Sequence, residues 1–109
     1  MPKQKDDPLD KVFIALSDKT RRELIHRLTK SELTMSELTK DLDMSLAAAS
    51  KHVKLLERAG LIRRRIEGRV HYISLVTEPL GMALDWISIY RKFWQDRINA
   101  LANIVNKEQ

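Results

Sequence analysis

A chain of 109 residues, 43% apolar and 32% charged, has room for one ordinary domain and the composition of a folded globular protein, which argues against a two-domain enzyme, wholesale disorder or a collagen-like architecture. No apolar run approaches the ~20 residues of a membrane span and the segment 1–8 is rich in polar and charged residues, unlike a signal peptide, so a cytoplasmic protein without membrane attachment is expected. The absence of cysteine excludes a disulfide framework, a thiolate nucleophile and Cys-ligated metal centres, while Lys and Arg exceed Asp and Glu by 20 to 15, a net charge of +5 that favours a polyanionic partner.

Asp7 and Pro8 read as an N-cap followed by proline at the first helical position, and Leu9, Val12, Phe13 and Leu16 recur at helical spacing, which predicts a helix over Pro8–Leu16. Ser17 and Asp18 cap a second helix carrying Leu24, Ile25 and Leu28. Thr34 and Glu37 form a capping box for a third, short helix running to about Leu42. Ser45 caps a fourth, whose Leu46, Ala49, Val53 and Leu56 form an inward stripe and which Gly60 ends in the left-handed position.

Two short helices separated by a tight turn are the helix-turn-helix pattern. Residues 61–66 and 69–75 are β-prone runs joined by Glu67 and Gly68, so a hairpin follows, and the whole predicts a winged helix: mainly α with a β-hairpin wing. Arg63, Arg64, Arg65, Arg69 and His71 concentrate positive charge on this wing, beside the fourth helix. Thr77 then caps a last helix with an apolar stripe of Leu80, Leu84, Ile87, Trp94, Ile98, Leu101 and Val105. At ~1.5 Å per residue it reaches about 40 Å, beyond the ~34 Å diameter of a compact domain of this size, so part of it needs an outside partner. Trp86, Tyr90, Phe93 and Trp94 fall on one face of it.

Residues 15–22 (Ala-Leu-Ser-Asp-Lys-Thr-Arg-Arg), Met44-Ser45 with Ala49-Ser50-Lys51-His52, residues 56–61 (Leu-Glu-Arg-Ala-Gly-Leu) and Glu67-Gly68-Arg69 together resemble the bacterial ArsR/SmtB-type winged-helix repressors. The likeness covers nearly the whole chain. It implies a single domain over 1–109, with a winged-helix core at 7–77 and a dimerisation helix at 78–105, acting as a homodimeric repressor of a pseudo-palindromic operator. The aromatic segment resembles a branch of the family without a recognisable metal site. Lys19 replaces the family's usual proline at the start of the second helix, a change of little cost in a first turn. Metal-sensing members carry Cys clusters on the third helix or Asp and His ligands on the last. Here residues 33–42 have no Cys and 77–105 no His, so neither a metal site nor a cofactor is expected.

The resemblance places Ser50 and Lys51 against DNA, and Lys54 shares their face. Ser45 and Ser50 are suited to bases or phosphates, Lys51 to guanine, and Ala47 and Ala48 to close approach or a thymine methyl. Arg65 and Arg69 near the wing tip suit phosphate or minor-groove contact, although charge on a hairpin also serves simply to discourage aggregation. Arg21 and Arg22 read equally well as phosphate contacts or as braces. A dimer interface is expected from Leu9, Val12, Phe13 and Leu16 with Trp86, Tyr90, Phe93 and Trp94. The rival readings are a winged helix used only for protein contacts, and a regulator whose aromatic last helix pockets a small-molecule effector. No nucleophile-base pair, phosphate loop or metal constellation supports an enzyme. On this reading the protein resides on the nucleoid when bound to DNA.

Overall fold

A computed structural model describes residues 7–107. Its elements are α1 (Pro8–Leu16), α2 (Lys19–Leu28), β1 (Leu33–Thr34), α3 (Met35–Leu38), α4 (Leu46–Arg58), β2 (Ile62–Glu67), β3 (Val70–Leu75) and α5 (Glu78–Lys107). The helix starts follow the capping chemistry. Asp7 accepts the Leu9 N–H at 2.8 Å, Asp18 the Arg21 N–H at 3.1 Å and Ser45 the Ala48 N–H at 3.1 Å. Thr34 and Glu37 exchange both bonds of the capping box, at 2.8 and 3.1 Å. Gly60, at φ +77°, turns the chain out of α4 as a residue without Cβ does at no steric cost.

Leu24, Ile25 and Leu28 of α2, Leu38 of α3, Val53 and Leu56 of α4, and Leu61, Ile62 and Ile73 of the wing close one core. The wing is the antiparallel pair β2–β3, in register from Ile62 against Leu75 to Glu67 against Val70. α1 lies over α2 and α4 on one side and meets α5 on the other, where Phe13 packs edge-on against Trp86 with ring centroids 5.7 Å apart. Among the described residues no helix is long and apolar enough to cross a membrane.

The structure corrects the sequence reading at five places. α3 ends at Leu38 rather than near Leu42, because the connection to α4 must turn sharply and Asp41 takes a left-handed φ of +62° to do so. A third strand, β1, joins the free edge of β3. The hairpin turns on Gly68 and Arg69 rather than on Glu67 and Gly68, since Glu67 still pairs with Val70. Leu46 is 70% exposed and is not part of the inward stripe, because the first turn of α4 projects past the core. Val12 is completely buried between α1 and its neighbours in the same chain, so it has no surface left for a second copy.

α5 leaves the domain. Its 30 residues span ~45 Å, and the Cα radius of gyration is 19.1 Å where a compact chain of this length has ~13 Å. Ala83 is the buried residue of α5, near its start; from Leu84 onward the described side chains are exposed.

Two of the capping carboxylates make stability sensitive to acid. The backbone N–H of Arg21 holds the Asp18 carboxyl below its usual pKa, and the backbone N–H of Thr34 does the same for Glu37. A pKa lowered by folding adds stability above the unfolded value and loses it as pH falls through the folded one. The melting temperature is therefore expected to be level from neutrality to about pH 5 and to fall below about pH 4. Glu37→Gln should flatten part of that fall in a melting series across pH.

Candidate nucleic-acid interface

Because Ala49, Val53 and Leu56 point into the core, the opposite face of α4 is free. Ala47, Lys51 and Lys54 are exposed there, while Ala48 and Ser50 are half-buried at its sides. Ser45 Oγ accepts the Ala48 N–H, which leaves the hydroxyl proton able to donate outward.

The two sides of α4 are braced by arginines. On one, Arg21 donates to the carbonyls of Ala15 and Ile14 at 2.8 and 3.0 Å and places Nη1 3.2 Å from His52 Nδ1, with Asp18 Oδ2 3.9 Å from the same ring nitrogen. Arg22 donates to the Leu16 carbonyl at 2.6 Å. Of the two readings offered by the sequence, these contacts make Arg21 and Arg22 braces for the end of α1. On the other side, Arg64 Nε and Nη2 lie 3.4 and 3.3 Å from the two carboxylate oxygens of Glu57, and its Nη1 lies 2.9 Å from His71 Nδ1. Helix and wing are thereby fixed to each other.

Strand alternation divides the arginine run. Arg64 faces α4, whereas Arg63 and Arg65 point to the opposite face and are exposed. Arg65 lies over the Tyr72 ring at 4.4 Å and pairs with Glu67 and, at 2.8 Å, with Glu32, whose hydrogen bond raises the Arg65 pKa still further above its ordinary value. It must share or release those carboxylates to meet a phosphate. Arg69 stands at the turn, exposed and without an ion pair among the described residues.

Between α4 and the wing lies a groove of about 510 Å³. Ser50, Lys54, Arg64, Arg69 and His71 line it together with Ser36 from α3, and no carboxylate does. The positive potential suggested by composition is thus gathered where α4 meets the wing. Sequence reasoning placed Arg64 and His71 in the positive charge of the wing beside α4 without singling them out as contact residues, and it missed Ser36. The period of two along β2 and β3 was the available signal.

A family profile described as a helix-turn-helix domain matches residues 16–65. The chain is 39% identical to the cadmium resistance transcriptional regulatory protein CadC homolog of Staphylococcus aureus, over 81% of its own length and 75% of that protein. It is 29% identical to the transcriptional repressor SdpR of Bacillus subtilis, over 91% and 94% of the two chains. The crystal structure of an ArsR family transcriptional regulator, RHA00566, superposes with a TM-score of 0.76 at 36% identity, covering 82% of this chain and 98% of that one.

The chain belongs to the ArsR family.

As an ArsR-family member it is a DNA-binding transcriptional regulator and not an enzyme. Its three histidines are dispersed: His26 lies on α2, His52 on α4 and His71 on β3. Among the described residues no group of three or more His, Asp or Glu side chains could hold a metal ion. The donor set for a bound transition metal, three or four converging ligands, is therefore not assembled on this ArsR-family chain's described residues.

Proposed function

We propose that this protein is a homodimeric repressor that sets α4 of each protomer into one major groove of a pseudo-palindromic operator and each wing on the flanking backbone. The observation that carries this reading is the groove itself: Lys54 of α4 and Arg69 of the wing line it with no carboxylate among the lining residues, Arg64 braces it, and Lys51 is exposed on the same helix. Lys51 reads a guanine edge, Ser45 and Ser50 serve bases or phosphates, and Lys54, Arg65 and Arg69 bind backbone. Ala47 and Ala48 offer only close approach or a thymine methyl, and exposed Leu46 joins them at the tip.

Pairing of α5 with a second copy, flanked by Leu9, Phe13 and Leu16 of α1, covers the aromatic face and spaces the two α4 helices by about one turn of B-DNA, ~34 Å. The protein acts in the cytoplasm on nucleoid DNA. Repression follows from a regulator that occupies its operator until released.

Lys51→Ala is expected to weaken binding to the gene's own upstream DNA by about tenfold and to relax preference at one base position, since a good base contact is worth ~1–3 kcal/mol. Arg69→Ala should weaken upstream and scrambled DNA alike. Retardation of both duplexes by both variants checks the assignment. Equal losses on scrambled DNA would remove Lys51 as a reader.

A further inference from the structure

One donor in the groove is located by elimination. Arg64 Nη1 lies 2.9 Å from His71 Nδ1, and a guanidinium has donors only, so Nδ1 accepts. The contact assigns a neutral ring whose single proton sits on Nε2. Arg64 is held in turn by both carboxylate oxygens of Glu57 on α4. Since Arg64 pairs with Ile73 and His71 with Ile66, the two side chains are diagonal neighbours on one face of β2–β3, the face turned to α4. No hydrogen bond among the described residues uses Nε2.

We propose that the groove is a subsite for one DNA backbone phosphate, to which His71 donates from Nε2, with Glu57 and Arg64 as positioning residues that keep the ring in the donating tautomer. This rests on the DNA-binding reading above and adds to it a contact that is neutral. The partner's chemistry follows from the lining. Lys54, Arg69, His71 and the Ser36 and Ser50 hydroxyls all donate, and no carboxylate lines the site, so it suits an oxyanion. A phosphodiester with two free oxygens accepts from His71 and from one cation together.

The test is a set of substitutions in the full chain, measured against the upstream duplex. His71→Leu is expected to lose about tenfold in affinity on upstream and scrambled DNA, as befits one hydrogen bond to a charged group. Its slope of log affinity against log salt should match the wild type, because a neutral donor releases no counterion. His71→Gln, whose amide N–H reaches a similar position, should stay within about threefold of wild type. Arg64→Lys cannot fork to Glu57 and reach His71 as well, so it should lose affinity too, and the Arg64→Lys/His71→Leu double variant should bind no worse than His71→Leu alone.

Wild-type affinity in His71→Leu, an equal loss in His71→Gln, or full additivity in the double variant would each overturn the subsite. Free phosphate is the other source of the same chemistry. In an NMR titration of the His71 ring the duplex should shift the resonance while inorganic phosphate at equal ionic strength should not. A shift with inorganic phosphate but none with duplex would overturn the DNA assignment. A wild-type protein that retards no DNA would overturn the functional reading itself, whereas normal retardation with an indifferent His71→Leu removes the subsite alone.

Discussion

Trp94→Glu is expected to yield monomers that keep their helical content and lose the operator. Trp94 is 61% exposed and Trp86, Tyr90 and Phe93 are close to half exposed, on a helix that extends well beyond the core. An apolar face of that size on a small domain calls for a cover. In the proposed dimer the new carboxylate has no partner, and burying an unpaired charge costs several kcal/mol. Within a single chain it costs little, because the position is already exposed, so circular dichroism should be unchanged. Two half-sites held together gain about 10²–10⁴ in avidity, and this is the loss expected in retardation assays on the upstream duplex. Sedimentation should report half the wild-type mass. A surviving dimer would place the interface elsewhere and favour a ligand on the aromatic face. From α1, Leu9, Phe13 and Leu16 remain to flank the contact, while Val12 is spent on the chain's own core.

Arg21→Ala should produce the largest loss of stability among the surface-reachable arginines. Its guanidinium caps the end of α1 by donating to the Ala15 and Ile14 carbonyls and ties that end to His52 on α4. The Ile14 carbonyl keeps the Ser17 hydroxyl and backbone N–H as donors, so the Ala15 carbonyl is the group left alone in the buried angle between helices. An unsatisfied buried carbonyl together with the lost tie costs ~2 kcal/mol. In a domain of about this size that lowers the melting temperature by roughly 10 °C. Arg21→Lys should recover only part, since one ammonium cannot reach all three acceptors. Thermal denaturation at fixed protein concentration checks both; an Arg21→Ala protein that melts with the wild type would show that the brace is idle.

What was legible in the sequence was local. Asp7, Asp18, Thr34 with Glu37, and Ser45 each mark a helix start because a short oxygen-bearing side chain satisfies the free N–H groups of the first turn, and those signals act within three residues. What was not legible depended on distant neighbours. β1 exists because β3 presents a free edge, and nothing in Leu33–Thr34 alone announces it. Leu46 has the spacing of a core residue but lies beyond the end of the core. Val12 faces inward as its spacing implies, yet spacing does not distinguish cover by the same chain from cover by a second copy. In the candidate site, Arg63, Arg64 and Arg65 look alike as a run of charge. Only their alternation on a strand, with Glu57 seven residues before Arg64 and His71 seven after it, separates a positioning arginine from the two on the outer face.

In the proposed function a basic surface built from α4 and the wing binds DNA as a dimer, and retardation of the gene's own upstream duplex across a salt series tests this. With Lys54, Arg65 and Arg69 of both protomers on backbone, about six phosphates are neutralised, and log affinity should fall linearly against log salt with a slope of about −5. A slope near zero, or equal affinity for a duplex and for an uncharged competitor surface, would rule out DNA binding by this surface and make the winged helix a protein-binding module.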